Sequence, residues 1–91
     1  MSAVLELGEV VATPGALRTL AIARIEPHEL LARHSGGDWG EIPPEDAREN
    51  RLSLKHGWRV LASYPLSTRK RIWIITEADR GMTTLLLPEE Y

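Results

Sequence analysis

Residues 71–77 read Arg-Ile-Trp-Ile-Ile-Thr-Glu, and this stretch decides the fold. Its β-branched and aromatic side chains are typical of a β-strand. Successive side chains of a strand point to opposite faces, so the even-numbered residues share one face and the odd-numbered residues share the other. The even-numbered face holds Ile72 and Ile74, and the odd-numbered face holds Trp73 and Ile75. Because both faces are largely apolar, we expect this strand to lie at the centre of a sheet.

One further strand is expected on each side of this stretch in the chain. These strands cover Trp58–Tyr64 and Met82–Leu87. The connections, Pro65–Lys70 and Ala78–Gly81, are short, and short connections join antiparallel neighbours. The last third of the chain therefore predicts a three-stranded antiparallel meander.

The N-terminal part predicts a short strand followed by a helix. The strand covers Leu7–Ala12, and it either joins an edge of the sheet or lies apart from it. Thr13 and Pro14 are an N-cap residue and a proline at the first helical position. Apolar residues then recur at three- and four-residue spacing, which indicates one buried helix face. The residues of this face are Leu17, Leu20, Ala21 and Ile25.

Prolines and glycines delimit two further helices. Pro27 begins a helix that runs to about His34, because a proline inside a helix costs about 3 kcal/mol. A glycine-rich turn at residues 36–40 follows. Pro44 opens a third helix that ends before Gly57, and its charges follow the order that the helix dipole favours. A narrow apolar seam places this helix on the surface, and the residues of the seam are Ala47, Leu52 and Leu54.

The order of elements defines the expected fold class. A β-α-α-α-β-β-β chain predicts an α+β fold with helices packed on one face of a mainly antiparallel sheet. The 91 residues form one domain, residues 1–91, because single domains run from about 50 to 200 residues.

Composition excludes several classes of site. The chain has no cysteine, so it has no disulfide framework, thiolate metal site or cysteine nucleophile. His28 and Glu29 begin a zinc-protease pattern, but Ala32 occupies the position of the second histidine. We therefore expect no metal and no cofactor. No apolar run approaches the ~20 residues of a membrane helix, and no basic segment precedes the N-terminal apolar residues. We expect a cytoplasmic protein without a membrane partner.

Four residues are candidates for catalysis. His34 faces inward on the second helix, and it is either a packed histidine or a general acid–base. Glu77 and Arg80 lie at one predicted hairpin, where they form a structural ion pair in a turn or hold an anion. With the hydroxyl of Thr84, these groups predict a metal-independent RNase as one hypothesis.

Charge is unevenly distributed along the chain. Residues 1–50 carry nine acidic and four basic side chains, and residues 51–91 carry four acidic and seven basic ones, which together give the net charge of −2. Such a split marks either opposed patches within one fold or a binding surface. The basic candidates for a nucleic-acid or partner surface are Arg59, Arg69, Lys70 and Arg71. The acidic candidates, which can mimic phosphate toward a protein partner, are Glu41, Glu45, Asp46 and Glu49.

Segments along most of the chain carry a resemblance to a known family. They read LARH at 31–34, GDWG at 37–40, IWIITEADR at 72–80 and LLPEEY at 86–91. The chain resembles a family of small uncharacterised bacterial proteins described as plasmid-related and sometimes labelled a type I restriction subunit M. The resemblance implies a bacterial protein of mobile elements and implies no activity. The methyltransferase label finds no support, because the chain has no glycine-rich cofactor loop.

The layout also resembles that of small RNases of the barnase, colicin E5 and RelE type, in which helices precede an antiparallel sheet. This likeness implies a catalytic role for His34, Glu77, Arg80 and Thr84, and it is a likeness of architecture alone. Our first expectation is a cytoplasmic accessory protein that acts by protein–protein contact, and the RNase is the alternative. A homodimer that pairs through strand 82–87 is a further hypothesis, since an uncovered strand edge invites pairing.

Overall fold

The predicted strands form a single sheet. The computed structural model describes residues 3–91. Its strands are β1 (Glu9–Ala12), β2 (Val60–Pro65), β3 (Arg71–Thr76) and β4 (Met82–Leu86). β2, β3 and β4 form the predicted antiparallel meander, and β3 is paired on both sides. The central position expected for this strand is confirmed.

β1 adds a fourth strand beside β4. The strand order is β1-β4-β3-β2, and β1 runs parallel to β4 because the chain crosses the helical layer between them. The sheet is therefore mixed, and the α+β class is confirmed. Pairing of two chains through strand 82–87 is wrong, because β4 already pairs with β1 on one side and with β3 on the other.

Three helices cover one face of the sheet. They are α1 (Pro14–Ala23), α2 (Pro27–Ser35) and α3 (Pro44–His56). Thr13 caps α1 as predicted, since its hydroxyl oxygen accepts from the Ala16 N–H at 3.0 Å. A three-residue 3-10 turn follows the sheet at Pro88–Glu90. None of the helices within residues 3–91 has the length and apolar character needed to cross a bilayer.

The core lies between these helices and the even-numbered face of β3. It joins Ala16 and Leu20 of α1 and Leu30 of α2 to the inward side chains of the sheet. Ile72 and Ile74 are among those side chains and are fully buried. The even-numbered face is thus the inner face.

Two helices bury different residues from those expected. On α1, Leu17 is 47 % exposed, whereas Gly15 and Ala16 are buried, because small residues let the helix lie close to its neighbours. Ala21 is also exposed. On α3, Leu52 is exposed, and the buried side chains are polar, Asn50 and Ser53. The apolar spacing located Leu20, which is buried, and Ile25 and Leu54, which pack partly buried against the core, but it missed the small and polar residues that the two helices bury.

The outer edge of β2 explains the polar seam of α3. The Asn50 side-chain amide donates to the Leu61 carbonyl at 2.7 Å, and its oxygen accepts from the Leu61 N–H at 3.2 Å. Two residues along the strand, Ser63 donates its N–H to the Trp39 carbonyl and accepts from the Glu41 N–H. These contacts close the edge of β2, since they satisfy the groups that point away from β3.

Candidate interaction surface

His34 lies inside the protein rather than in a cleft. Its side chain is fully buried, and Nε2 lies 2.9 Å from the Thr76 hydroxyl. That hydroxyl lies 2.8 Å from the Thr83 hydroxyl, which donates to the Leu7 carbonyl at 2.7 Å. These three hydrogen bonds connect α2 to β3, β4 and the segment before β1.

This series of hydrogen bonds fixes which group is the donor in each bond. Because the Thr83 hydroxyl donates to a carbonyl, a single consistent direction has Nε2–H of His34 donating to Thr76 and Thr76 donating to Thr83. The histidine is then neutral, and its buried Nδ1, which has no partner among residues 3–91, carries no proton. Burial lowers the pKa of His34 to about 4, in agreement with this state. The geometry matches a packed histidine, since no substrate can reach the ring.

Arg80 fastens α3 to the second hairpin. Its guanidinium donates to the carbonyls of Trp58 at 2.6 Å and Ser53 at 2.9 Å. A longer bond of 3.3 Å reaches the Glu77 carbonyl. The Ser53 and Trp58 carbonyls lie at and just beyond the C-terminal end of α3, where a cation is favourable. The guanidinium is therefore occupied by main-chain acceptors.

The four catalytic candidates do not form one site. Glu77 pairs with Arg59, at 3.7 Å, and not with Arg80 as the structural interpretation proposed. Thr84 lies on the opposite face of β4 from Thr83. It is Thr83, and not Thr84, whose hydroxyl is linked through Thr76 to His34. The RNase hypothesis thus draws no support from the arrangement of these residues.

The candidate surface residues are also dispersed. Exposed residues Glu45, Asp46 and Glu49 lie on α3, and exposed Arg69 and Lys70 lie in the turn between β2 and β3. Asp46 and Glu49 line, together with Arg59, a shallow groove of about 140 Å³ beside β2. Arg59 and Arg71 belong instead to the outer face of the sheet.

Apart from the 3-10 turn at Pro88–Glu90, which contacts β3, no helix of residues 3–91 packs on the odd-numbered face of β3. We call this surface the open face. Ile75 and Leu86 lie on it and are buried, yet they fall outside the connected core between sheet and helices. Its other central side chains are partly exposed and largely apolar: Val11, Leu61, Trp73 and Thr84.

An aromatic pair covers the centre of the open face. The rings of Trp73 and Tyr91 meet edge to face, with centroids 5.5 Å apart and planes at 63°. The Tyr91 hydroxyl accepts from the Arg59 guanidinium at 2.7 Å. Because Arg59 and Trp73 project from the same face, Tyr91 lies over it, although 68 % of Tyr91 remains exposed. The cluster thus combines two aromatic rings with an arginine.

The charges of the open face are balanced. Arg71 donates to the Glu41 carboxylate at 2.7 Å and to the Ser63 hydroxyl at 3.1 Å. Arg59 is paired with Glu77. Each arginine on this face therefore has a carboxylate beside it, and the face carries no excess of positive charge.

Sequence reasoning located part of this surface. Strand alternation placed Arg71 and Trp73 together. The structure separates Arg59 from Arg69, Lys70 and Arg71, with which it was grouped, because the pairing of Val60 with Thr76 and of Pro65 with Arg71 puts Arg59 and Arg71 at opposite ends of β3. The contact of Tyr91 with this face and the position of Glu41 beside Arg71 were missed, since both residues come from distant parts of the chain and no local pattern signals such contacts. Among residues 3–91 no cluster of histidine and carboxylate side chains fits a metal ion.

The chain matches no protein-family model, no curated protein and no solved structure.

Proposed function

We propose that this chain is a small accessory protein that binds another protein through the open face. The observation that carries the proposal is the Trp73–Tyr91–Arg59 cluster on a sheet face that the three α-helices leave uncovered. Tryptophan, tyrosine and arginine are the residues most enriched at the energetic centres of protein interfaces. Partly exposed apolar side chains surround them, as in the core of an interface.

The charge balance favours a protein over a nucleic acid as the partner. A nucleic-acid surface needs unpaired cations, because most of the affinity comes from phosphate neutralisation. On the open face Arg59 and Arg71 are paired with carboxylates, and the whole chain has a net charge of −2. A protein partner can use the same arginines as hydrogen-bond donors without demanding net positive charge.

The setting of this function follows from the sequence. The family resemblance supports a bacterial protein of mobile elements, and the absence of cysteine is compatible with a cytoplasmic location. In this proposal the partner is a cytoplasmic bacterial protein.

The test compares two matched tryptophan variants. Tagged full-length chain is used to capture proteins from a bacterial lysate, and each captured protein is then purified and titrated against Trp73→Ala and Trp58→Ala. Trp58 is the control because it is an exposed tryptophan, 47 % accessible, that stacks on His56 away from the Trp73–Tyr91 cluster. We expect Trp73→Ala to weaken binding at least about tenfold and Trp58→Ala to leave the Kd unchanged.

Three outcomes contradict the proposal. One is a partner whose Kd is equal for both variants, which places the interface elsewhere. Another is the absence of any captured protein that binds after purification. The third is binding of single-stranded RNA oligonucleotides that weakens steeply with salt and is lost in Trp73→Ala, since this assigns the open face to nucleic acid.

A further inference from the structure

The free edge of β1 differs from the other edge of the sheet. In β1, Glu9 donates its N–H to the Gly81 carbonyl, and Thr13 donates to the Leu85 carbonyl. Alternation along a strand then directs the N–H and C=O of Val10 and Ala12 away from β4. No hydrogen bond from any group of residues 3–91 reaches those four outward groups. β1 therefore presents a short main-chain ladder without a partner.

The contrast with β2 shows which edge is available. The outward groups of β2 are satisfied by Asn50 and by the segment at residues 39–41. At β1, Val10 is 42 % exposed, and no lysine or proline within the strand blocks approach. An extended segment can satisfy such a row of alternating donors and acceptors with its own main-chain groups.

We propose that the occupant of this edge is β1 of a second copy, paired antiparallel about a twofold axis. With the axis at Val11, Val10 of one copy exchanges hydrogen bonds with Ala12 of the other, which gives about four main-chain bonds. In this register Glu9 lies opposite Thr13, so the acidic side chains do not face each other. The strand is thus complementary to itself in hydrogen bonding, and this register keeps the two Glu9 carboxylates apart.

The exposed apolar side chains near β1 fit the same arrangement. Leu17 lies one turn beyond the end of β1, since its N–H donates to the Thr13 carbonyl. Both Leu17 and Val10 are more than two-fifths exposed in the single chain. Pairing through β1 reduces the exposure of Val10 by adding a strand beside it. Because the strand has only four residues, we expect a weak dimer with a Kd on the order of 0.1 mM.

Amide hydrogen exchange measured residue by residue tests the register. From about 10 µM to about 1 mM, exchange at Val10 and Ala12 is expected to slow about fourfold, because at a Kd of about 0.1 mM the fraction of single chains falls from about 0.85 to about 0.2. Val11 is the internal control, because its N–H points to β4 and its exchange stays constant. Over the same range, sedimentation should show the mass rising from 10.2 kDa toward twice that value.

Matched valine variants test the surface. Val10→Lys places a charge at the edge, so we expect it to keep the mass at 10.2 kDa throughout. Val4→Lys changes an equally apolar and exposed valine outside the strands, and it should dimerise like the natural chain. A circular dichroism spectrum and melting curve establish that both variants fold.

Each alternative result overturns the proposal. A single chain at 1 mM with fast exchange at Val10 and Ala12 shows that the edge stays open. Protection of both amides at every concentration shows that the edge is covered within one chain. A mass that doubles without slower exchange at these residues places the dimer on another surface. A different protein that protects both amides, when a second copy does not, assigns this edge to that protein.

Discussion

His34 shows how one buried residue links stability to pH. In the folded chain its neutral ring donates to Thr76 at the start of a chain of buried bonds, and burial lowers its pKa to about 4. In the unfolded chain the pKa of a histidine is about 6.5. As the pH falls from about 6.5 to about 4, the His34 ring therefore takes up a proton in the unfolded state and stays neutral in the folded state. Stability from this residue is complete above about pH 6.5 and is lost in that interval.

Urea unfolding measured between pH 7.5 and 4 checks this prediction. The free energy of unfolding should fall by about 3 kcal/mol across the interval because of His34. His34→Gln, which can still donate to Thr76, should flatten the slope, whereas His28→Gln at an exposed position should retain it. An equal slope in the His34→Gln chain would refute the assignment. The pKa of Asp38 is held low by the Arg33 guanidinium, so its contribution falls at more acidic pH.

Residue-scale prediction from the sequence was partial. The inward position of His34 followed from helical spacing, because Leu30 and His34 share a face. Its partners Thr76 and Thr83 could not be inferred, since they are brought to it by the pairing of β3 with β4 and by the docking of α2. The sequence therefore left the packed and catalytic interpretations open.

At the scale of elements, two glycines with the same backbone conformation have different roles. Gly40 has φ of +73° and Gly57 has φ of +74°. A Cβ on Gly40 would lie 2.2 Å from the Ser63 carbonyl oxygen, whereas a Cβ on Gly57 would meet nothing within 4 Å. Gly40 thus permits the segment between α2 and α3 to approach β2, and Gly57 only ends α3.

Substitution by alanine separates conformation from contact. We expect Gly57→Ala to cost about 1 kcal/mol, the strain of a left-handed residue. Gly40→Ala adds a clash with main-chain atoms, and we expect it to cost about 3 kcal/mol or more. Thermal and urea unfolding of the two variants measure the difference. Equal losses would show that the contact at Ser63 does not restrict Gly40.

Element boundaries followed from local chemistry, but helix orientation did not. Pro14, Pro27 and Gly57 mark helix ends as expected, because their effect on φ is local. The buried side of α1 depends on Gly15 and Ala16, whose small size matters only once a neighbour is present. The buried side of α3 depends on the edge of β2, which local spacing does not reveal.

At the scale of the whole molecule, the uneven charge has a structural explanation in part. Glu41 from the acidic half pairs with Arg71 from the basic half across the fold, at 2.7 Å. Arg59 and Glu77 pair within the basic half, at 3.7 Å.

The meander was predicted because its connections are short, whereas the place of β1 depends on a crossover that has no sequence signature. Interpretation of strand 82–87 as an edge failed for that reason.

The closed edge of β2 limits assembly through β1 to two copies. A chain with one free strand edge can pair with one other copy, whereas a chain with two free edges can form an open-ended filament. Asn50→Ala would release the Leu61 N–H and C=O, but Ser63 would keep its main-chain bonds to Trp39 and Glu41. We therefore expect static light scattering of Asn50→Ala to detect pairs and no longer species, whereas filaments would show that Asn50 alone keeps this edge closed. The side chain in α3 and the segment at residues 39–41 thus act together to keep the complex finite.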